Sequence, residues 1–202
     1  MKKPISKARK IYAGVSLVLA GVQFGIYALD QFACKKAEKI ADEPSNLSLE
    51  ALETALYQHF KPIVDQELGL EAVRYVFHPH KTSHALNANR VLGVTGPALF
   101  HKDLLVVELY RQGVAHDAIF TGLGKFNLEK YALSYVETLA HELRHVRQFA
   151  LEGYTFESLD GTIFSKHEGV RKEVEKVAKA YGKQFAKQHR EEILRIVSEL
   201  NK

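Results

Sequence analysis

The sequence predicts an α+β fold: a small sheet set among helices, with one transmembrane helix ahead of it. Three observations carry this. An uncharged run of nineteen residues follows a basic N-terminus. Three short β-branched or apolar runs lie between residues 72 and 109. The second half then returns to helical periodicity, and one of its segments contains His141-Glu142-Leu143-Arg144-His145. The chain divides accordingly into a basic flank (1–10), an apolar helix (11–29), a juxtamembrane linker (30–45) and one folded domain (46–202).

The bounds set by composition are ordinary ones. A chain of 202 residues has room for one well-packed domain, and 46% hydrophobic with 26% charged residues is usual for a globular protein. A net charge of +4, much of it in the first ten residues, does not argue for nucleic acid as a partner. Cys34 is the only cysteine, which excludes an internal disulfide and a zinc ribbon built on cysteines.

The apolar run is IYAGVSLVLAGVQFGIYAL, preceded by Lys2, Lys3, Lys7, Arg9 and Lys10. Nineteen helical residues at about 1.5 Å each span roughly 28 Å, close to the bilayer core. Positive charge ahead of the run predicts a cytoplasmic N-terminus and an extracytoplasmic domain. The alternative is a cleaved signal peptide and a secreted domain. However, Ala28 and Ala33 lack the small residue two positions earlier that a cleavage site needs. A signal-anchor is therefore the expectation.

Beyond the linker, Leu49, Leu52, Leu56 and Phe60 recur at helical spacing, with Pro62 a candidate stop and Gly69 closing the region. Residues 72–77, 91–94 and 104–109 read as strands, the last (LLVVEL) most plainly. Residues 111–127 hold three glycines and no period, which predicts loop with one turn of helix at most. Asn127 is a candidate N-cap for a helix from Leu128 to about Leu151, stopped by Gly153. A final helix from about Glu168 to Leu200 carries a stripe of Val170, Val174, Val177, Tyr181 and Phe185.

On a helix at about 100° per residue, His145 lies about 40° round from His141 and Glu142 about 100° round. Two imidazoles four residues apart can then meet one metal ion, with Glu142 beside them as general base. Ser134, Thr138, Phe149 and Glu152 share that face, while Tyr135, Leu139 and Val146 point to the core. A catalytic zinc needs a third protein ligand and an open position. Gln148 and Leu151 stand where the metzincin pattern would have glycine and histidine, so that pattern is absent.

With the strand LLVVELY, the helix YVETLAHELRHVRQF and the helix EVEKVAKAYGKQF, residues 100–186 resemble a minimal gluzincin metallopeptidase with a zincin-like domain. The resemblance implies Zn2+ held by His141, His145 and a glutamate of an E-x-x-A motif, which Glu175 and Ala178 match. It implies that Ala178 is small so the two ligand helices approach. It also implies that residues 104–109 form a sheet edge gripping an extended peptide by strand addition. Lys179 stands where an aspartate or asparagine is usual. Periodicity leaves Glu173 open as a rival to Glu175, because the two flank opposite edges of the apolar stripe. Glu152 sits seven residues past His145, His167 is a weaker ligand or transition-state donor, and Tyr154 and Tyr181 could reach an oxyanion.

Other signals point elsewhere. His78-Pro79-His80 with His84 reads as a loop of solvated histidines. Gly122-Leu123-Gly124-Lys125 lacks the remaining residues of a phosphate loop. Asn46-Leu47-Ser48 is a glycosylation sequon. The expected function is hydrolysis of a peptide or protein substrate at a membrane surface, with Zn2+ bound and Glu142 as catalytic base. The alternative is a non-enzymatic, membrane-tethered binding protein that keeps the same fold.

Overall fold

A computed structural model describes residues 7–42, 47–81, 91–98, 101–155 and 168–200, with side chains described for 22–41, 49–81, 91–97, 104–155 and 169–200. It is an α+β fold of six helices and one three-stranded mixed sheet among the described residues. In chain order these are α1 (Lys7–Asp42), α2 (Leu47–Leu68), β1 (Tyr75–Lys81), β2 (Gly93–Ala98) and β3 (His101–Tyr110). There follow α3 (Arg111–Thr121), α4 (Leu128–Ala150), α5 (Glu168–Gln188) and α6 (Arg190–Leu200).

The strand order is β1-β3-β2, with β1 parallel and β2 antiparallel to β3. Thus residues 104–109 belong to the central strand, which corrects the expectation that they form an edge. Both of their sides are occupied: Phe77 and Thr95 each pair with Val107. The strand adjoining α4 at the sheet's end is β2. Along β3, Leu105, Val107 and Leu109 are buried while Leu104, Val106 and Glu108 are only partly so, the period of two expected when one face meets helices.

At the centre stands α4, which packs against α2, α3, α5, α6 and the sheet. Its N-terminus is capped by Asn127, whose side chain accepts from the Lys130 amide at 3.0 Å. Tyr131, Tyr135, Leu139, Leu143 and Val146 are buried in one core with Leu52, Leu56 and Phe60 of α2 and Phe185 of α5. α2 runs through Pro62, because Phe60, Val64 and Leu68 continue the buried stripe beyond it. It ends at Gly69, at φ 65°, a conformation glycine adopts without a Cβ clash.

Three further expectations are corrected. Residues 111–121 form a helix rather than a loop. Gln112, Val114, Ala115, His116, Ala118 and Ile119 are all buried, so no exposed face gives α3 a helical period. The predicted linker 30–45 is helical as far as Asp42, since Ala33, Ala37 and Ala41 lay a small-residue stripe against α3. The predicted C-terminal helix is two helices, with α6 turning after Gln188 to bury Ile193, Ile196 and Val197. In addition, His78, Pro79 and His80 lie in β1, where Pro79 falls at a register shift.

Among the described residues no helix is long and apolar enough to cross a membrane. The predicted span 11–29 falls partly outside them: the side chains of residues 11–21 are not described. In the described remainder, Val22, Phe24, Ile26 and Tyr27 are exposed on α1.

Candidate metal centre

His141 and His145 project from α4 toward α5, where Glu175 meets them. Four residues on one helix bring the two imidazoles to one face, with Nε2 atoms 3.0 Å apart. Glu175 Oε2 lies 3.6 Å from His141 Nε2, and its Oε1 lies 3.6 Å from His145 Nε2. Bonds of about 2.0–2.2 Å to zinc would place two tetrahedral ligand atoms roughly 3.4 Å apart. The three observed separations bracket that value, and the donor set of two imidazoles and a carboxylate suits a borderline divalent ion. The residues therefore fit a metal ion.

Close helix approach makes this convergence possible. Ala178 is fully buried at the crossing. At Gly182 a Cβ would stand 2.5 Å from the Glu137 carbonyl and 3.2 Å from His141 Cβ, so a larger residue would push α5 off α4. Behind His145, Nδ1 meets Gln148 Oε1 at 2.7 Å, while Gln148 Nε2 donates to the Val174 carbonyl of α5 at 3.0 Å. One buried amide thus orients the imidazole and joins the two helices.

Glu142 faces β2 instead. Thr95 Oγ1 lies 2.8 Å from its Oε2 and 3.0 Å from its main-chain oxygen, leaving Oε1 3.9 Å from His141 Nε2. At Gly93 a Cβ would stand 2.7 Å from Glu142 Cγ, so only glycine allows this approach. A cavity of about 270 Å³ opens over these groups, with Val94, Phe149, Arg171 and Val174 completing its walls.

The electrostatics distinguish each group. Burial pushes Glu142 up to about 7, although His145 and the Thr95 hydrogen bond pull the other way. Burial and the neighbouring His145 push His141 down to about 4. Burial also disfavours a charged His145, but Glu175 and Glu142 outweigh it and raise its pKa. The hydrogen bond with His145 holds Glu175 below the usual carboxylate range.

The other candidates lie elsewhere. Glu173 is exposed and pairs with Lys176. Glu152 is held by Arg144 and Arg147. Tyr181 donates to Glu67 of α2 at 2.9 Å, and Tyr154 is half-buried beyond the end of α4. His80 lies 3.4 Å from Glu53, while His84 and His167 fall outside the described residues. Gly122–Lys125 is a turn with Leu123 and Gly124 at positive φ. Sequence reasoning missed Thr95, Gly93 and Gln148. Only Gln148, one helical turn past His145, carried a signal that could have found it.

No protein-family model matches the chain, and no curated protein or solved structure matches it. Fold and site together define an α+β protein with a His141, His145 and Glu175 group that could hold a metal ion.

Proposed function

We propose that the protein is a membrane-anchored zinc metallopeptidase. The observation that carries this is the convergence of His141, His145 and Glu175, their ligand atoms within 4.8 Å of one another, beside a buried glutamate under an open cavity. Zinc in such a site supplies a Lewis acid that polarises a carbonyl and acidifies water. His141, His145 and Glu175 would hold it. Glu142, with Oε2 engaged by Thr95, keeps Oε1 for the proton of the attacking water and delivers that proton to the leaving amine. Burial suits Glu142 to the task by raising its basicity toward neutral pH.

The strand lining the cavity is β2, through Gly93, Val94 and Thr95, so an extended peptide would lie along β2 rather than β3. The anchor reading draws on the basic flank and apolar run of residues 2–29 and on exposed Val22, Phe24, Ile26 and Tyr27. It places the N-terminus in the cytoplasm and the site on the other side.

The test uses full-length protein in detergent, loaded with zinc and supplied with casein and a peptide library. Cleavage that a chelator stops, and that vanishes together with one zinc equivalent in His141→Ala/His145→Ala, is the expected result. Zinc bound without any cleavage would favour the non-enzymatic binding protein. Unchanged zinc content in the double variant would remove the metal reading.

A further inference from the structure

We propose a second metal site, built by Asp30 and Cys34 of α1 with His116 of α3. It shares no residue with the centre on α4 and α5. Asp30 and Cys34 are four residues apart, hence on one face of α1. His116 Nε2 lies 3.1 Å from Asp30 Oδ1, and carboxylate oxygen, thiol sulfur and imidazole nitrogen all fall within 4.8 Å of one another. Asp30 and His116 are buried, while Cys34 is partly accessible. An ion therefore has an approach from the Cys34 side.

The donors are complementary in chemistry as well as position. Bonds of about 2.0–2.3 Å to nitrogen, oxygen and thiolate sulfur place tetrahedral ligand atoms roughly 3.5 Å apart, a spacing this group can meet with small side-chain movements. A carboxylate and a thiolate balance a divalent cation, and the imidazole binds neutral. The single soft sulfur with nitrogen and oxygen favours zinc and its borderline neighbours over calcium or magnesium. One cysteine cannot build a ribbon, but a mixed site asks for only one.

Position gives the site its role. Ala33 and Ala37 already bring α1 against α3, and the three donors sit on the same stretch of that contact. A bound ion would fasten the N-terminal helix to the folded domain at the point where the exposed apolar residues of α1 give way to buried ones.

Cobalt tests this directly, because a thiolate ligand gives Co2+ a charge-transfer absorption in the near ultraviolet that imidazole and carboxylate do not. Cys34 is the only cysteine, so no other site in the chain can produce that band. Full-length, metal-stripped protein titrated with Co2+ should show the band as one equivalent binds. Cys34→Ser should abolish it, and His116→Asn should weaken that equivalent on the order of tenfold or more. His141→Ala/His145→Ala should keep the band in full, which separates this site from the proposed peptidase centre. A wild-type chain that saturates without the band overturns the proposal, and needs no variant to fold. So does a band that persists at unchanged affinity in His116→Asn.

Discussion

His145 Nδ1 and Gln148 Oε1 lie 2.7 Å apart, and this contact fixes the chemistry of the imidazole. The amide nitrogen of Gln148 is committed to the Val174 carbonyl, so only its oxygen can face His145. An oxygen there accepts the Nδ1 proton and leaves Nε2 as the atom for a metal. Gln148→Leu should lower zinc affinity on the order of 10–100-fold, the usual effect of losing such a support. It should also cost about 1–3 kcal/mol by stranding two buried polar groups. Gln148→Glu retains the acceptor and should recover most of the affinity. Competition with a chromophoric chelator, set beside urea unfolding, measures both quantities.

Glu142→Gln keeps a carbonyl oxygen for Thr95 to reach and a side chain of the same size against Gly93. Only the ability to take a proton is removed. Turnover should fall on the order of 10²–10⁴-fold while bound zinc is unchanged. Activity assays on protein of known metal content decide this. Full turnover in the variant would remove Glu142 from the proton path.

Legibility followed amphipathicity. α4 could be read because Tyr135, Leu139 and Val146 alternate with polar residues at helical spacing and Asn127 marks its start. α3 could not, because it is buried on nearly every side, and Gly113 looks like a breaker. In fact a Cβ at Gly113 would stand 1.9 Å from the Val91 carbonyl, so the glycine serves a close approach. The charges of residues 35–39 hid Ala33, Ala37 and Ala41, since a stripe of alanines has little hydrophobic contrast. The two histidines and Glu142 are local on one helix, and the resemblance supplied Glu175. Thr95 comes from a strand 47 residues away, a pairing only the packed sheet reveals.

Two glycines on α5 offer a matched comparison. At Gly182 an added Cβ meets the Glu137 carbonyl at 2.5 Å, whereas at Gly169 nothing lies within 4 Å. Gly182→Ala should destabilise the fold by about 1–3 kcal/mol through overpacking. It should also weaken zinc binding by moving Glu175 from the histidines. Gly169→Ala should be neutral or stabilising by up to about 1 kcal/mol from helix propensity. Thermal unfolding with and without zinc distinguishes the pair, and equal effects at both positions would contradict the close approach.

Glu53 anchors the opposite side of the core. Arg111 donates to its two oxygens at 3.0 and 2.6 Å, Tyr131 donates to Oε1, and His80 Nδ1 lies 3.4 Å from Oε2. Burial alone would raise its pKa, but these partners overcome the burial and hold it below the ordinary 4.5. A carboxylate depressed by folding contributes stability that is complete above its unfolded pKa and is lost as pH falls through its folded one. Glu53→Gln should therefore cost about 1–3 kcal/mol at pH 7, because it leaves the half-buried Arg111 without its counter-charge. The gap between wild type and variant should persist down to the usual glutamate range and narrow only in stronger acid. Urea unfolding of both proteins across that range measures it, and a gap independent of pH would show that the charge of Glu53 contributes nothing.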